Sequence, residues 1–225
     1  MEVRLHDTPE ATATASASRI AELIETADDR FTLGLAGGST PEATYRALRG
    51  KGLGWSRVDA WLSDERWVPP DDERSNGRMA ADALLDQVDA RFHRPRWSEF
   101  MLPRDSAAHY EASLRSILHG HAPDLILLGL GEDGHTASLF PGTPALDETA
   151  RWFVANHVTQ LDEYRLTATY PLLWSARLLM VLVVGEQKAE ALADTMSGNT
   201  PASRLDQGDA EVEWYVDAAA ASLLS

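Results

Sequence analysis

The stretch "DLILLGLGEDGHTASLFPG", Asp124 to Gly142, decides the fold of this 225-residue chain. Its first half, "DLILLGLG", is apolar at successive positions. That is the pattern of a strand buried on both faces, and such strands belong to parallel sheets covered by helices. The flanking sequence alternates accordingly. "RFTLGLAGG" (30–38) is a short β-rich run, followed by the helix "TPEATYRALRG" (40–50), with Thr40 as N-cap, Pro41 at its first position and Gly50 as its stop. "RVDAWLSDE" (57–65) reads as the next strand, "SNGRMAADALLDQV" (75–88) as a helix capped by Ser75, and "EFMLP" (99–103) as a short strand. "DSAAHYEASLRSIL" (105–118) is helical, with Leu114, Ile117 and Leu118 on one face. After the opening stretch come the strand "RLLMVLVVG" (177–185), the helix "EQKAEALADTM" (186–196), the strand "VEWYVD" (212–217) and an Ala-rich helix "AAAASLL" (218–224). The first helix is the capped, amphipathic "TPEATATASASRIAELIETA" (8–27). The expectation is an α/β fold: one domain over 1–225, a mostly parallel β-sheet flanked by helices on both faces.

Composition narrows the function. The formal net charge of -15 argues against nucleic acid or an anionic membrane as partner, because neither attracts a strongly acidic surface. An anionic small substrate is compatible only if Arg, Lys and backbone N–H groups reverse the field locally. There is no cysteine, which excludes thiol catalysis, disulfides and Cys-based zinc sites. The opening "MEVRLHDTPEATATASAS" is acidic, without an apolar segment, and is not read as a signal peptide. No stretch is apolar and long enough to span a bilayer, so the expected location is the cytoplasm.

In parallel sheets ligands sit beyond the carboxyl ends of the strands. Three loops lie there. In "GGSTP", Gly37 and Gly38 allow close backbone approach, Ser39 and Thr40 add hydroxyls, and a helix start adds free N–H groups: an anion site, or a capped turn with no ligand. It lacks the G-K-[ST] ending of a P-loop and the G-x-S-x-G of a serine hydrolase elbow. In "SDERWVPPDDERSN", neighbours on an extended segment point to opposite sides. One of Asp64 and Glu65 can therefore face a pocket while the other pairs with an arginine outside; a solvated charge run is the alternative. The third loop contains G-x-G-x-x-G at Gly129, Gly131 and Gly134, the spacing of a dinucleotide turn. Its context fails. Pro141 leaves little room for the required helix, position 154, where the ribose-binding acid belongs, is Val, and Asp133 would sit beside a pyrophosphate. The glycines suit instead a tight turn presenting Asp133 and His135, placed so that the carboxylate can orient the imidazole or set its tautomer; a structural histidine is the alternative. The other six histidines (His6, His93, His109, His119, His121, His157) lack such a setting and read as surface or structural. A metal site from Asp64, Asp133 and His135 has no diagnostic spacing, and no metal is expected.

Taken together, "LAGGSTPEATYRAL", "WLSDERWVPPDDERSN" and "LILLGLGEDGHTASLFPG" resemble segments of the 6-phosphogluconolactonase family, which is related to the glucosamine-6-phosphate isomerases. "YRLTATYPLLWSA", "LVVGEQKAEAL" and "TPASRLD" resemble further segments in the expected order, so the likeness runs over most of the chain. It implies a Rossmann-like sheet and hydrolysis of 6-phosphoglucono-δ-lactone to 6-phosphogluconate in the oxidative pentose phosphate pathway, without a cofactor. It implies His135 as general base and Asp133 as its orienting group. The phosphate is then expected against Gly37, Gly38, Ser39 and Thr40, with Asp64, Arg66, Arg165 and Lys188 completing the substrate site. The partner is a small sugar-phosphate lactone, and the chain is expected to be a monomer, or at most a weak dimer. The related isomerases carry "GHIAFNEP", with a catalytic glutamate, where this chain has "GHTASLFP"; Phe140 takes the glutamate's place and cannot relay a proton. The alternatives are that isomerase/deaminase activity, and a non-catalytic sugar-phosphate sensor.

Overall fold

The computed structural model describes residues 2–224; Met1 and Ser225, the ends of the expected domain, lie outside the described residues. In chain order the elements are β1 (Glu2–His6), α1 (Pro9–Thr26), β2 (Phe31–Leu35), α2 (Ser39–Arg49), β3 (Val58–Leu62), β4 (Asp64–Arg66), α3 (Asn76–Ala83) and β5 (Arg91–His93). They continue with α4 (Pro103–Leu118), β6 (Leu125–Gly129), β7 (Phe153–Val158), β8 (Glu163–Ala168), α5 (Tyr170–Trp174), β9 (Leu178–Val183), α6 (Ala189–Met196) and β10 (Glu211–Asp217). Seven strands form one sheet in the order β1-β10-β9-β6-β2-β3-β5, and every pair in it is parallel.

Side chains alternate across that sheet as the strand period requires. In β6, Ile126 and Leu128 pack on one side with α4, α5 and α6, while Leu125 and Leu127 pack on the other with α1, α2 and α3. All four are fully buried. Each such side chain contributes roughly 1.5–3 kcal/mol of apolar burial, which is why the doubly apolar pattern fixes the strand at the centre. Strand order reverses between β2 and β6: the chain steps outward through β3 and β5, then returns to build β9 and β10 on the other side. The loops leaving β2 and β6 diverge there and open a crevice.

Four sequence expectations are corrected. "RVDAWLSDE" is two strands rather than one. At Ser63 the chain bends: its N–H donates to Leu35 O (2.8 Å), its carbonyl accepts from Ala168 N (2.8 Å), and β4 leaves the main sheet. β4 pairs antiparallel with β8, and β8 with β7, in a second, three-stranded sheet that the sequence did not announce. "EFMLP" is not a strand, because Pro103 opens α4; the edge strand is the earlier "RFH" of β5. Thr40 does not cap its helix. Gly38, at φ 104°, holds the N-cap and Ser39 and Thr40 form the first turn. Lastly, "AAAASLL" closes only a 3-10 turn, Ala220–Leu223.

Asp59 anchors the β2–β3–β5 side. It is buried on β3, and its carboxylate accepts from Arg30 Nε (2.6 Å), Arg91 Nη2 (2.6 Å) and His93 Nε2 (2.7 Å). Burial alone would raise its pKa; the hydrogen bonds from Arg91, Arg30 and His93 outweigh that and hold it well below the usual carboxylate range. A depressed folded-state pKa means stabilisation that is present above the unfolded value of ~3.9 and fades as pH falls toward the folded one. Asp59→Asn is therefore expected to lower the unfolding free energy by about 2–4 kcal/mol at neutral pH, short of the full range for buried pairs because the arginines are part-exposed. Denaturant titrations should show the gap between wild type and variant narrowing near pH ~3; a gap independent of pH would dismiss this account.

Candidate active site

The loops leaving β2, β3, β6 and β9 surround a cavity of about 520 Å³. Eight of the residues picked out from sequence line it: Gly37, Gly38, Asp64, Arg66, Asp133, His135, Arg165 and Lys188. Ser39 and Thr40 do not. Their place in the first turn of α2 turns Ser39 outward, and the Thr40 carbonyl accepts from Thr44 Oγ1 (3.2 Å); only backbone N–H groups at this helix start remain for a ligand. Sequence reasoning passed over Asn76, Ser138 and Glu132, which also line the cavity. Asn76 follows the Ser75 cap and Ser138 sits in an unremarkable "TAS"; neither has a local signal for a buried polar role.

Asp133 and His135 meet as expected. Asp133 Oδ1 lies 2.5 Å from His135 Nδ1 and also accepts the His135 backbone N–H at 3.1 Å. Burial would raise the Asp133 pKa, but its hydrogen bond and attraction to His135 prevail and hold it below the ordinary value. An ionised carboxylate there assigns the proton to Nδ1 and leaves Nε2 as the acceptor. The ring is held from one face by Phe140, stacked with centroids 3.9 Å apart and planes at 25°. Two glycines make this possible. A Cβ on Gly131 would stand 2.1 Å from His135 Nδ1 and 2.8 Å from Asp133 Oδ1, and Gly134, at φ 76°, would drive one into Thr200 Cβ at 2.4 Å.

Across the cavity, β4 and β8 place Arg66 directly opposite Arg165 in register. Opposed residues on one face of an antiparallel pair lie close, so like charges there repel. Burial and then Arg66 lower the pKa of Arg165. Arg165 Nη2 donates to Glu163 Oε2 (2.8 Å), while its buried Nε has no partner. Lys188, in the turn before α6, is about 4.0 Å from Glu132 Oε1. Asp64 is buried, with Asn76 Nδ2 donating to Oδ1 (3.1 Å) and Ser138 Oγ to Oδ2 (2.6 Å). Glu65 does not pair with an outside arginine. Its carboxylate caps α3 instead, accepting from Asn76 N (2.7 Å), Gly77 N (2.8 Å) and Ser75 Oγ (2.9 Å), as the positive end of a helix favours. Among the described residues no group of three or more His, Cys, Asp and Glu side chains is arranged to hold a metal ion. The arrangement brings a carboxylate-oriented imidazole and three cationic side chains, Arg66, Arg165 and Lys188, into one cavity, a set of groups chemically able to accept a proton and to hold an anion.

The family described as "Glucosamine-6-phosphate isomerases/6-phosphogluconolactonase" matches residues 7–214. A 6-phosphogluconolactonase of Synechocystis sp. is 40% identical over 198 residues, covering 83% of this chain and 81% of its own length. The crystal structure of a 6-phosphogluconolactonase from Shewanella baltica superposes with a TM-score of 0.88 at 29% identity, covering 97% of this chain and 98% of that one. A monomeric glucosamine-6-phosphate deaminase is similar too, with a TM-score of 0.86, 26% identity and coverage of 99% and 100%.

Gly131→Ala is expected to break the Asp133–His135 hydrogen bond without unfolding the chain. Imidazole ¹⁵N spectra should lose the Nδ1–H tautomer preference while far-UV circular dichroism stays unchanged. Unaltered ring signals would mean that the loop has room to relax.

Proposed function

The chain belongs to the family of glucosamine-6-phosphate isomerases and 6-phosphogluconolactonases, and from that premise we propose that it hydrolyses 6-phosphoglucono-δ-lactone to 6-phosphogluconate, with His135 as general base. The observation that carries the mechanism is the His135–Asp133 pair with Phe140 stacked on the imidazole.

His135 Nε2 takes a proton from water as the water oxygen bonds to the lactone carbonyl carbon. Asp133 keeps the ring in the right tautomer and stabilises the imidazolium that forms. The tetrahedral intermediate then collapses, the bond from carbonyl carbon to ring oxygen breaks, and the departing alkoxide takes the proton back from His135. No covalent nucleophile is required, since a lactone is an activated ester whose leaving group stays tethered. General-base help of this kind is typically worth ~10²–10⁴ in rate. The substrate phosphate, remote from the reacting carbon, supplies binding energy for positioning. Arg66, Arg165, Lys188 and the N–H groups at Gly38 and the start of α2 are the groups assigned to it. Supporting that assignment are the opposed guanidiniums and the orphan Arg165 Nε, both of which an anion would relieve.

The likeness to a glucosamine-6-phosphate deaminase raises the isomerase reading. Phe140 argues against it: an apolar ring stands where the ring-opening glutamate would act. A small sugar-phosphate lactone as substrate, a cytoplasmic location and an enzyme that is a monomer, or at most a weak dimer, belong to the same proposal. Among the described residues no helix is long and apolar enough to cross a membrane.

Hydrolysis of freshly generated lactone, read through a coupled 6-phosphogluconate dehydrogenase and corrected for spontaneous opening, tests it. His135→Ala is expected to cut turnover roughly 10²–10⁴-fold while 6-phosphogluconate binding by calorimetry stays within a few-fold. An active His135→Ala would remove the base from the scheme. Lys188→Ala should raise KM about tenfold with little change in kcat, the size of one charge-assisted hydrogen bond at a part-exposed site. An unchanged KM would take Lys188 out of the substrate site.

A further inference from the structure

A second cleft, of about 510 Å³, opens beside the first, between β4 with the segment after it and the 94–101 loop. Its size falls within the ~300–1,000 Å³ usual for small-molecule sites. Asp64 faces the first cavity, Glu65 the second, and Arg66 lines both.

The wall is aromatic and cationic together. Trp67 and Trp97, both half-buried, lie with ring centroids 6.3 Å apart and planes at 49°. Arg66, Arg94 and Arg96 line the same cleft. In a chain of net charge -15, most guanidiniums have a carboxylate. Among the described residues these three have none: Arg66 donates to the Arg74 carbonyl and Arg94 lies over the Phe92 ring, 5.3 Å from its centroid. The one acid in the wall is already spent. Both Glu65 oxygens accept from backbone N–H groups of Arg66, Asn76 and Gly77 and from Ser75 Oγ. Indole faces attract flat rings and cations, and unpaired guanidiniums attract oxyanions. Side by side, they complement one kind of molecule.

We propose that this cleft is a second ligand site, for a small molecule that joins an anionic group to a flat aromatic ring. The ring packs on Trp67 and Trp97, and the anion meets Arg96 and Arg94. Because Arg66 is shared, occupancy draws on a guanidinium that also faces the first cavity.

The probe is 1-naphthyl phosphate, with 1-naphthol and inorganic phosphate as its two halves. Titration into ¹⁵N-labelled protein should shift the indole N–H signals of Trp67 and Trp97, assigned by single Trp→Phe changes, saturably and ahead of the other indoles. Each half alone should bind at least tenfold more weakly. Arg96→Ala and Trp97→Ala should each weaken binding at least tenfold while lactone hydrolysis stays at the wild-type rate. Shifts that match with inorganic phosphate alone would reduce the cleft to a cationic patch, and shifts that match with naphthol alone to an apolar one; either overturns the proposal. So would probe binding that 6-phosphogluconate displaces and that neither variant weakens, since the probe would then occupy the first cavity.

Discussion

The carboxylate of Asp64 is taken out of water without an ion-pair partner among the described residues, and the site is arranged around satisfying it. A buried carboxylate left unpaired costs several kcal/mol, so its acceptors must be filled by whatever the fold can bring. It brings Asn76 from the start of α3 and Ser138 from the loop after β6. Hydrogen bonds to a charged group contribute ~1.5–3 kcal/mol each, enough to fix both segments against β4. Asn156 Nδ2 continues the chain by donating to Ser138 O at 2.9 Å. Segments from distant parts of the sequence are thus tied together, and the dyad and the arginines line one cavity.

The same economy governs charge. An excess of acid over the whole chain is compatible with an anion-binding cavity because the field there is set locally. Glu65 and Asp64 are neutralised by N–H and O–H donors rather than by the cations nearby. Arg165 still pairs with Glu163 (2.8 Å), but the donors that satisfy Asp64 and Glu65 leave the Arg66 guanidinium without a carboxylate among the described residues, so stability and local charge are linked through donor choice.

Much of this was legible in the sequence. The central strand and the helix cap at Ser75 follow from apolar runs and capping residues, and Asp64, Asp133 and His135 from loops at strand ends; Arg66, Arg165 and Lys188 were expected only through the family resemblance, and one cavity gathers all six. What was not legible depends on long-range geometry. Nothing in "WLSDER" marks Ser63 as the bend, because the bend is made by its partners Leu35 and Ala168, far away in the chain. The strands β7 and β8 alternate polar and apolar residues weakly, and it is their pairing with each other and with β4, together with packing over α4, that makes a sheet of them. Thr40 looked like a cap because Pro41 follows it, yet the cap falls two residues earlier, at Gly38, whose φ of 104° suits glycine and which supplies no side-chain cap. Asn76 and Ser138 are ordinary residues whose roles exist only once Asp64 is buried between them.

The G-x-G-x-x-G of the opening stretch shows why such spacing underdetermines chemistry. In a dinucleotide turn, glycines let a pyrophosphate approach the backbone. Here the freed space at Gly131 is taken by the protein's own groups, the His135 ring and the Asp133 carboxylate, and at Gly134 by Thr200. The loop then closes on itself, with Gly131 N donating to His135 O at 2.8 Å. An intramolecular carboxylate in that volume excludes an anionic ligand both by bulk and by charge. The spacing states only that something must come close to the backbone; here that is the protein's own Asp133 and His135 rather than a ligand.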